Sequence, residues 1–232
     1  MAAITFYTAP TANGWKVAIA LEELGLDYAV EYLHFDQNQQ KTPEFLKLNP
    51  NGRIPVIVDH ENADKALAES GAILLYLAER EGKLMPVARD AYFEAVQWLM
   101  FQMSAVGPMM GQAMFFQRIA APKGIVDDYA IERYVTESRR LLEILNERLA
   151  GQQYLCGEYS MVDIATFPWA RAYRWANIEV ADLTALNAWF ERVEHRDAVQ
   201  RGLCVPAGKP RVYYSDDDLE EATQRNAQLY DA

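Results

Sequence analysis

The sequence predicts an α/β half joined to an all-α half. Three observations carry that prediction. Short β-rich segments alternate with short helical ones over the first 82 residues, a stretch containing Gly and Pro follows, and everything beyond it repeats at helical spacing. In the first half, Ile4 to Thr8, Tyr28 to His34 and Pro55 to Asp59 are β-rich, and Lys65 to Ala68 is a fourth, weaker strand. Asn13 to Leu24 reads as a helix that Asn13 can cap and Gly25 can stop, and a shorter helical turn lies around Pro43 to Leu48. Ser70 is a good N-cap for the last helix of this half, where Ile73, Leu74 and Leu77 recur at helical spacing before Gly82 ends it. The order is βαβ followed by ββα, assigned to residues 1–82.

The Gly-Lys-Leu-Met-Pro-Val-Ala-Arg stretch that starts at Gly82 predicts a linker over 83–89, followed by a helical domain over 90–204. Asp90 to Phe116 and Asp127 to Ala150 are long helices, the second with an apolar stripe of Leu141, Leu142, Leu145 and Leu149. Ser160 stands three residues before Asp163, a capping pair that opens a helix toward Trp175, and Leu183 to His195 supplies the next. Over 205–232, Pro206, Gly208, Pro210 and the run Asp216-Asp217-Asp218 predict an extended surface segment, with a short last helix from Leu219.

Composition excludes several classes of function. With 51% hydrophobic and 24% charged residues, the chain of 232 residues builds an ordinary globular core rather than a disordered, collagenous or disulfide-scaffold one. A net charge of -11 supplies no basic footprint, so neither nucleic acid nor an anionic membrane surface is an expected partner. Only Cys156 and Cys204 are present, without a CxxC pair, which suits a reducing cytoplasm and unbridged thiols. His34, His60 and His195 are scattered without metal-ligand spacing, and no metal is expected. The N-terminus carries neither a basic region nor an apolar run of a secretory signal. The uncharged stretch from Ala95 to Gln117 is long enough to span a bilayer, but Gln97, Gln102, Gln112, Gln117 and Pro108 interrupt it, so it reads as a buried helix.

The α/β half followed by an all-helical half is the plan of a thioredoxin-like domain with a helical bundle. Four stretches make the likeness specific: Ala9-Pro10-Thr11-Ala12-Asn13-Gly14, Asn49-Pro50-Asn51-Gly52-Arg53-Ile54-Pro55, Glu69-Ser70-Gly71-Ala72-Ile73, and Ser160-Met161-Val162-Asp163-Ile164-Ala165. Together they resemble the cytosolic glutathione transferases. The Thr and Asn two apart after Ala-Pro, the stretch Gly107-Pro108-Met109-Met110-Gly111-Gln112 and Ala130-Ile131-Glu132-Arg133-Tyr134 are similar to the bacterial Nu class. The resemblance covers roughly residues 4 to 203. It implies a glutathione-dependent disulfide reductase with hydroperoxide or weak conjugating activity, general conjugation to electrophiles or a non-catalytic glutathione-binding module being the alternatives. It also implies a homodimer.

Each motif has a physical reading beside the resemblance. Ile54-Pro55 precedes an apolar strand: the ring removes a donor and allows a cis bond, leaving the preceding backbone to pair with an extended peptide such as glutathione, or it is an ordinary strand-initiating proline. Glu69-Ser70 puts an acid and a hydroxyl at a helix N-terminus, suited to the γ-glutamyl carboxylate and ammonium, or in Ser70's case to capping alone. Thr11 and Asn13 stand where thioredoxin-like redox proteins carry a cysteine pair. With no cysteine there, any thiol chemistry belongs to bound glutathione, whose thiolate Thr11 and Asn13 can stabilise, with Tyr7 as the rival donor. Gln40 and Arg53 border the same edge, and the resemblance implies contacts to the glycyl and glutamyl ends, against simple solvation. Arg133 reaches a second glutathione by resemblance, or pairs with Glu137 one helical turn on. Met109, Gln112 and Phe115, with Met110, Met114 and Phe116 nearby, form an adaptable acceptor pocket or belong to the core.

Overall fold

The computed structural model describes residues 2–206, so the extended segment and the helix expected from Leu219 lie outside the described residues, apart from Val205 and Pro206. In chain order the elements are β1 (Ile4–Thr8), α1 (Ala12–Leu24), β2 (Tyr28–Tyr32), α2 (Pro43–Leu48), β3 (Val56–Asp59), β4 (Lys65–Ala68), α3 (Ser70–Glu81), α4 (Arg89–Phe101), α5 (Gly107–Phe115), α6 (Asp128–Leu149), α7 (Met161–Ala170), α8 (Thr184–Glu194) and α9 (Asp197–Leu203). The expected fold class is the one observed, a thioredoxin-like mixed sheet with helices followed by an all-helical part. The chain divides into two compact units, with breaks after Val87 and after Val193.

The first unit is a four-stranded sheet of order β2-β1-β3-β4. β1 and β2 are parallel, which requires a crossover, and α1 is that crossover. β3 and β4 add antiparallel neighbours, with Tyr7 opposite Val56 and Val56 opposite Ala68. Gly14 to Leu21 and Leu24 of α1 are all buried, because α1 packs on α3 and also under α9. A Cβ on Gly202 would lie 2.7 Å from the Ile19 backbone, so α9 can approach α1 only through a residue without a side chain. Arg196 forks onto Glu23 at 2.6 and 2.9 Å, and Arg201 donates to Glu22 at 2.6 Å. Helical spacing alone puts this segment in the helical domain and gives no sign of α9. The structure groups residues 194–206 with the sheet, because the buried face of α9 is complementary to α1.

Two caps differ from expectation. Thr11, not Asn13, caps α1: its Oγ accepts from the Gly14 N–H at 3.2 Å, and the Thr11 N–H donates to the Ala9 carbonyl at 2.7 Å, turning the chain two residues earlier than expected. The cap position of α3 is held by Glu69, with φ of 70°, and Ser70 is the first helical residue. A non-glycine residue in that left-handed region is uncommon and is held there by its surroundings.

Among the described residues, the second unit is built from helices, with one isolated bridge between Cys156 and Glu158. The expected helix from Asp90 to Phe116 is observed as α4 and α5, joined by a π-helical stretch at Gln102–Val106 and followed by another at Phe116–Ala120. Pro108, at the start of α5, cannot donate to the preceding turn, and a widened turn re-routes the carbonyls it leaves. Gly107 and Gly111 lie under Trp169, with virtual Cβ positions 3.5 and 3.4 Å from its ring, so the small residues one turn apart let α7 approach α5. Among the described residues no helix is long and apolar enough to cross a membrane. The leucine stripe of α6 is buried as expected.

The capping pair at α7 extends into the core. Buried Asp163 accepts from the Leu155 N–H at 3.0 Å, the Ser160 N–H at 3.0 Å, the Ser160 hydroxyl at 3.2 Å and the Trp189 indole at 2.9 Å. Burial lifts its carboxyl to about 6, with these hydrogen bonds pulling the other way. Asp163→Ala strands several buried donors and is expected to lower unfolding free energy by ~3 kcal/mol, read as a drop in Tm. The raised value means that Asp163 titration favours the fold at low pH, a contribution lost as the pH rises through about 6. The Tm of the wild type minus that of Asp163→Asn is therefore expected to fall between pH 4 and pH 6.5.

Candidate active site

Sheet register gathers the first group of candidate residues. β1 runs toward Thr8, β3 leaves from Val56 and β4 returns to Ala68, so the Thr11–Asn13 turn, Ile54-Pro55 and Glu69-Ser70 all lie at one end of the sheet. β2 ends beside Thr8 as well, and the chain then passes through two short 3-10 turns containing Gln40.

The segments at that end are built locally. Buried Asn49 donates from Nδ2 to the Arg53 carbonyl at 2.6 Å and accepts from the Asn51 N–H at 3.1 Å, which folds the Asn-Pro-Asn-Gly-Arg turn onto itself. Gly52 has φ of 64°, and a Cβ there would lie 2.9 Å from the Gln40 carbonyl and 2.8 Å from Lys41 Nζ. Only glycine allows the Gln40 and Arg53 segments this approach. The Ile54-Pro55 bond is cis, and the antiparallel ladder begins at Val56, leaving Ile54 outside it. Gln40 Oε1 is buried and has no hydrogen-bond partner among the described residues. Arg53 is exposed and makes no ion pair among the described residues.

Thr11 Oγ is committed as acceptor to Gly14, so the hydroxyl proton is the part it can offer to an anion. Ala12 and Asn13 open α1, where first-turn N–H groups lie outside the intrahelical ladder. Tyr7 projects from β1 against Phe45, ring centroids 5.9 Å apart. Burial first and the Glu31 charge second hold its phenol above the ordinary value, so it remains a neutral donor.

Lys16 was not foreseen from the sequence. Lys16 is 1% exposed, and its Nζ donates to Ser70 Oγ at 3.4 Å. Burial lowers its ammonium to about 7, opposed by the Glu69 charge. Its position on the inner face of α1, a turn beyond Thr11, was the available signal, but a helical lysine ordinarily reads as a solvent-facing residue.

The second group lies in the helical unit. A cavity of about 600 Å³ is lined by Met109 and by Tyr129, Glu132, Arg133, Tyr134, Thr136 and Glu137 of α6. Met109 and Arg133 thus share a cavity, whereas Gln112 and Phe115 do not line it and Met110 is core. Glu137 accepts a hydrogen bond from Arg140 at 2.7 Å, and the Arg133 charge one turn earlier also lowers its carboxyl. Phe116 stacks on Tyr134 with ring centroids 5.7 Å apart. The two tyrosines were missed, although their recurrence with Arg133 and Glu137 at helical spacing marks one face of α6.

Neither cysteine joins these groups. Cys156 and Cys204 are unbridged and half-buried, and burial pushes the Cys156 thiol up to about 11. Among the described residues no cluster of His, Cys, Asp and Glu could hold a metal ion.

Comparison with known proteins agrees with this geometry. Residues 2–79 match the family model of the glutathione S-transferase N-terminal domain, and residues 114–197 that of the glutathione S-transferase C-terminal domain. The disulfide-bond oxidoreductase YfcG of Escherichia coli is 43% identical over 205 residues, covering 86% of this chain and 94% of that protein. A glutathione transferase from Burkholderia graminis, solved with two glutathione molecules bound per subunit, superposes with a TM-score of 0.83 at 43% identity, covering 88% of each chain. A glutathione transferase from Pseudomonas putida, solved with one glutathione disulfide per subunit, gives a TM-score of 0.83 at 40% identity over 88% of this chain and 92% of that one. With both halves matched and relatives of this similarity along most of its length, the chain belongs to the glutathione S-transferase family.

Proposed function

We propose that this protein is a glutathione-dependent disulfide reductase of the Nu type. The observation that carries the reading is the hydroxyl turn at the end of the sheet: Thr11 offers a proton beside the first turn of α1 where no cysteine stands, while the Cys156 thiol is held far above neutrality. The reacting sulfur then belongs to the ligand. The names of similar proteins support the same direction, one being a disulfide-bond oxidoreductase and two having been solved with glutathione or its disulfide.

In this reading the backbone of Ile54, beyond the end of the ladder, pairs with the extended peptide. Glu69 and Ser70 take its γ-glutamyl ammonium and carboxylate, and Gln40 and Arg53 border the glycyl and glutamyl ends. Thr11 and Asn13 hold the sulfur as thiolate. It attacks one sulfur of a substrate disulfide, forming a mixed disulfide and expelling the other sulfur as thiolate, which takes a proton from water. A second glutathione thiolate, for which Arg133 is the proposed contact, then attacks the mixed disulfide, yielding glutathione disulfide and the second substrate thiol. Met109, with Gln112 and Phe115, is proposed for the acceptor.

Thermal shift with reduced and oxidised glutathione tests the reading. A ligand at 100 times its Kd adds about 2.7 kcal/mol, so a real site raises Tm plainly, and no shift with either form overturns the assignment. Faster turnover of an aryl electrophile than of a disulfide would put conjugation first.

Replacing Thr11 and Asn13 together by Ala is expected to lower disulfide reductase turnover by ~10² or more, on the scale of a lost charge-stabilising donor. The variant Cys156→Ser with Cys204→Ser should keep most of the rate. Because Thr11 also caps α1, its removal costs ~1 kcal/mol of stability, which Tm reports separately.

Ser70→Ala is expected to weaken glutathione binding by ~1 to 3 kcal/mol, since a charged carboxylate loses its hydroxyl donor. Titration calorimetry giving the wild-type Kd would remove Ser70 from the site.

A homodimer is the proposed assembly. Sedimentation at micromolar concentration should give twice the 26.4 kDa chain mass, and a species of the chain mass alone would refute it.

A further inference from the structure

A lysine inside a helix packed on both sides is exceptional, because moving an ammonium out of water is costly. Lys16 is 1% exposed, and its Nζ lies 3.4 Å from Ser70 Oγ at the start of α3. We propose that Lys16 is a positioning residue that couples binding of the γ-glutamyl carboxylate at Ser70 to uptake of one proton. The inference rests on the glutathione-binding reading above.

A carboxylate hydrogen-bonded to Ser70 would bring a negative charge to the far side of the hydroxyl that Lys16 contacts. In a site removed from water, that charge favours the ammonium form. As an ammonium, Lys16 donates to Ser70 Oγ, which directs the hydroxyl proton away from Nζ and toward the carboxylate. As a neutral amine it can accept that proton instead and withdraw the donor. Without ligand, burial holds the group at about 7, so both forms are populated near neutrality.

The other charges around α1 do not substitute for the ligand's carboxylate. Glu69, beside Ser70, acts on Lys16 and raises it, yet burial still dominates. Elsewhere on α1, Glu22 and Glu23 are engaged by Arg201 and Arg196, roughly 9 Å further along the helix. On α3, Arg80 is taken by Asp59, Glu61 and Glu81, and Glu79 lies in the same distal turn. On α9, Asp197 is exposed. β1 carries no charged residue.

S-methylglutathione, which has no thiol to titrate, is the probe. Isothermal titration at pH 7.5 in buffers of different ionisation enthalpy should show the wild type taking up ~0.7 proton per site beyond what Lys16→Arg takes up. Between pH 6 and pH 8 the wild-type affinity should fall about tenfold relative to that of Lys16→Arg, whose guanidinium stays charged throughout. Lys16→Met should bind more weakly at pH 6 and lose the slope. The ligand's own titration is common to all three proteins, so the differences isolate Lys16. Equal proton uptake by wild type and Lys16→Arg overturns the inference, as does an unchanged slope in Lys16→Met. Should Lys16→Met fail to fold, the comparison of wild type with Lys16→Arg still decides. A wild type that binds no S-methylglutathione at any pH instead overturns the binding reading itself.

Discussion

The antiparallel pairing of β1 with β3 and of β3 with β4 sets Tyr7, Val56 and Ala68 side by side, and the candidate site follows from that register. Strands carry side chains to alternate faces, so a slip of one residue would exchange the faces on which buried Val56 and Ile57 pack and separate the chain reversals that the register gathers. Each reversal then adds its own chemistry. One ends in a hydroxyl cap, one in a cis proline, and one in a residue with positive φ followed by a serine.

What the helices add to the first unit is support from behind. α1 has no solvated face over most of its length, and its buried Lys16 reaches the start of α3. The turn that carries Thr11 and the helix that carries Ser70 are thereby held by the same element. In the helical unit the corresponding anchor is Asp163, on which the loop before α7, the start of α7 and α8 converge through hydrogen bonds.

Much of this was legible in the sequence because it rests on local signals. β-rich composition marked the strands, Gly25 and Gly82 marked helix ends, and Ser160 with Asp163 marked a capping box that the structure contains. The sequence failed where two local solutions compete or where a distant partner decides. Thr11 and Asn13 are both competent caps, and the Ala9 carbonyl settled the choice for Thr11. Ser70 is a natural cap residue, but Glu69 occupies that position with a backbone angle no propensity predicts. The π-helical stretches each shift the phase of the apolar face, so Ala95 to Gln117 shows no clean helical stripe and looks uniformly apolar. Helix α9 is short and its packing is chiefly against distant α1, so nothing within its own residues announced it.

The return of α9 makes the first unit discontinuous along the chain, with residues 88–193 of the second inserted between its two pieces. A ribosome delivers the pieces in order. When residue 87 has emerged, the sheet and the first three helices are present, but the face of α1 around Ile19 still lacks the residues that cover it. That apolar face stays open until more than a hundred further residues have been made. At a synthesis rate of ~5 to 20 residues per second, this is an interval of roughly several seconds to tens of seconds. The nascent first unit is therefore an incomplete module throughout translation of the second, and a chain cut at the linker would inherit the same uncovered surface permanently.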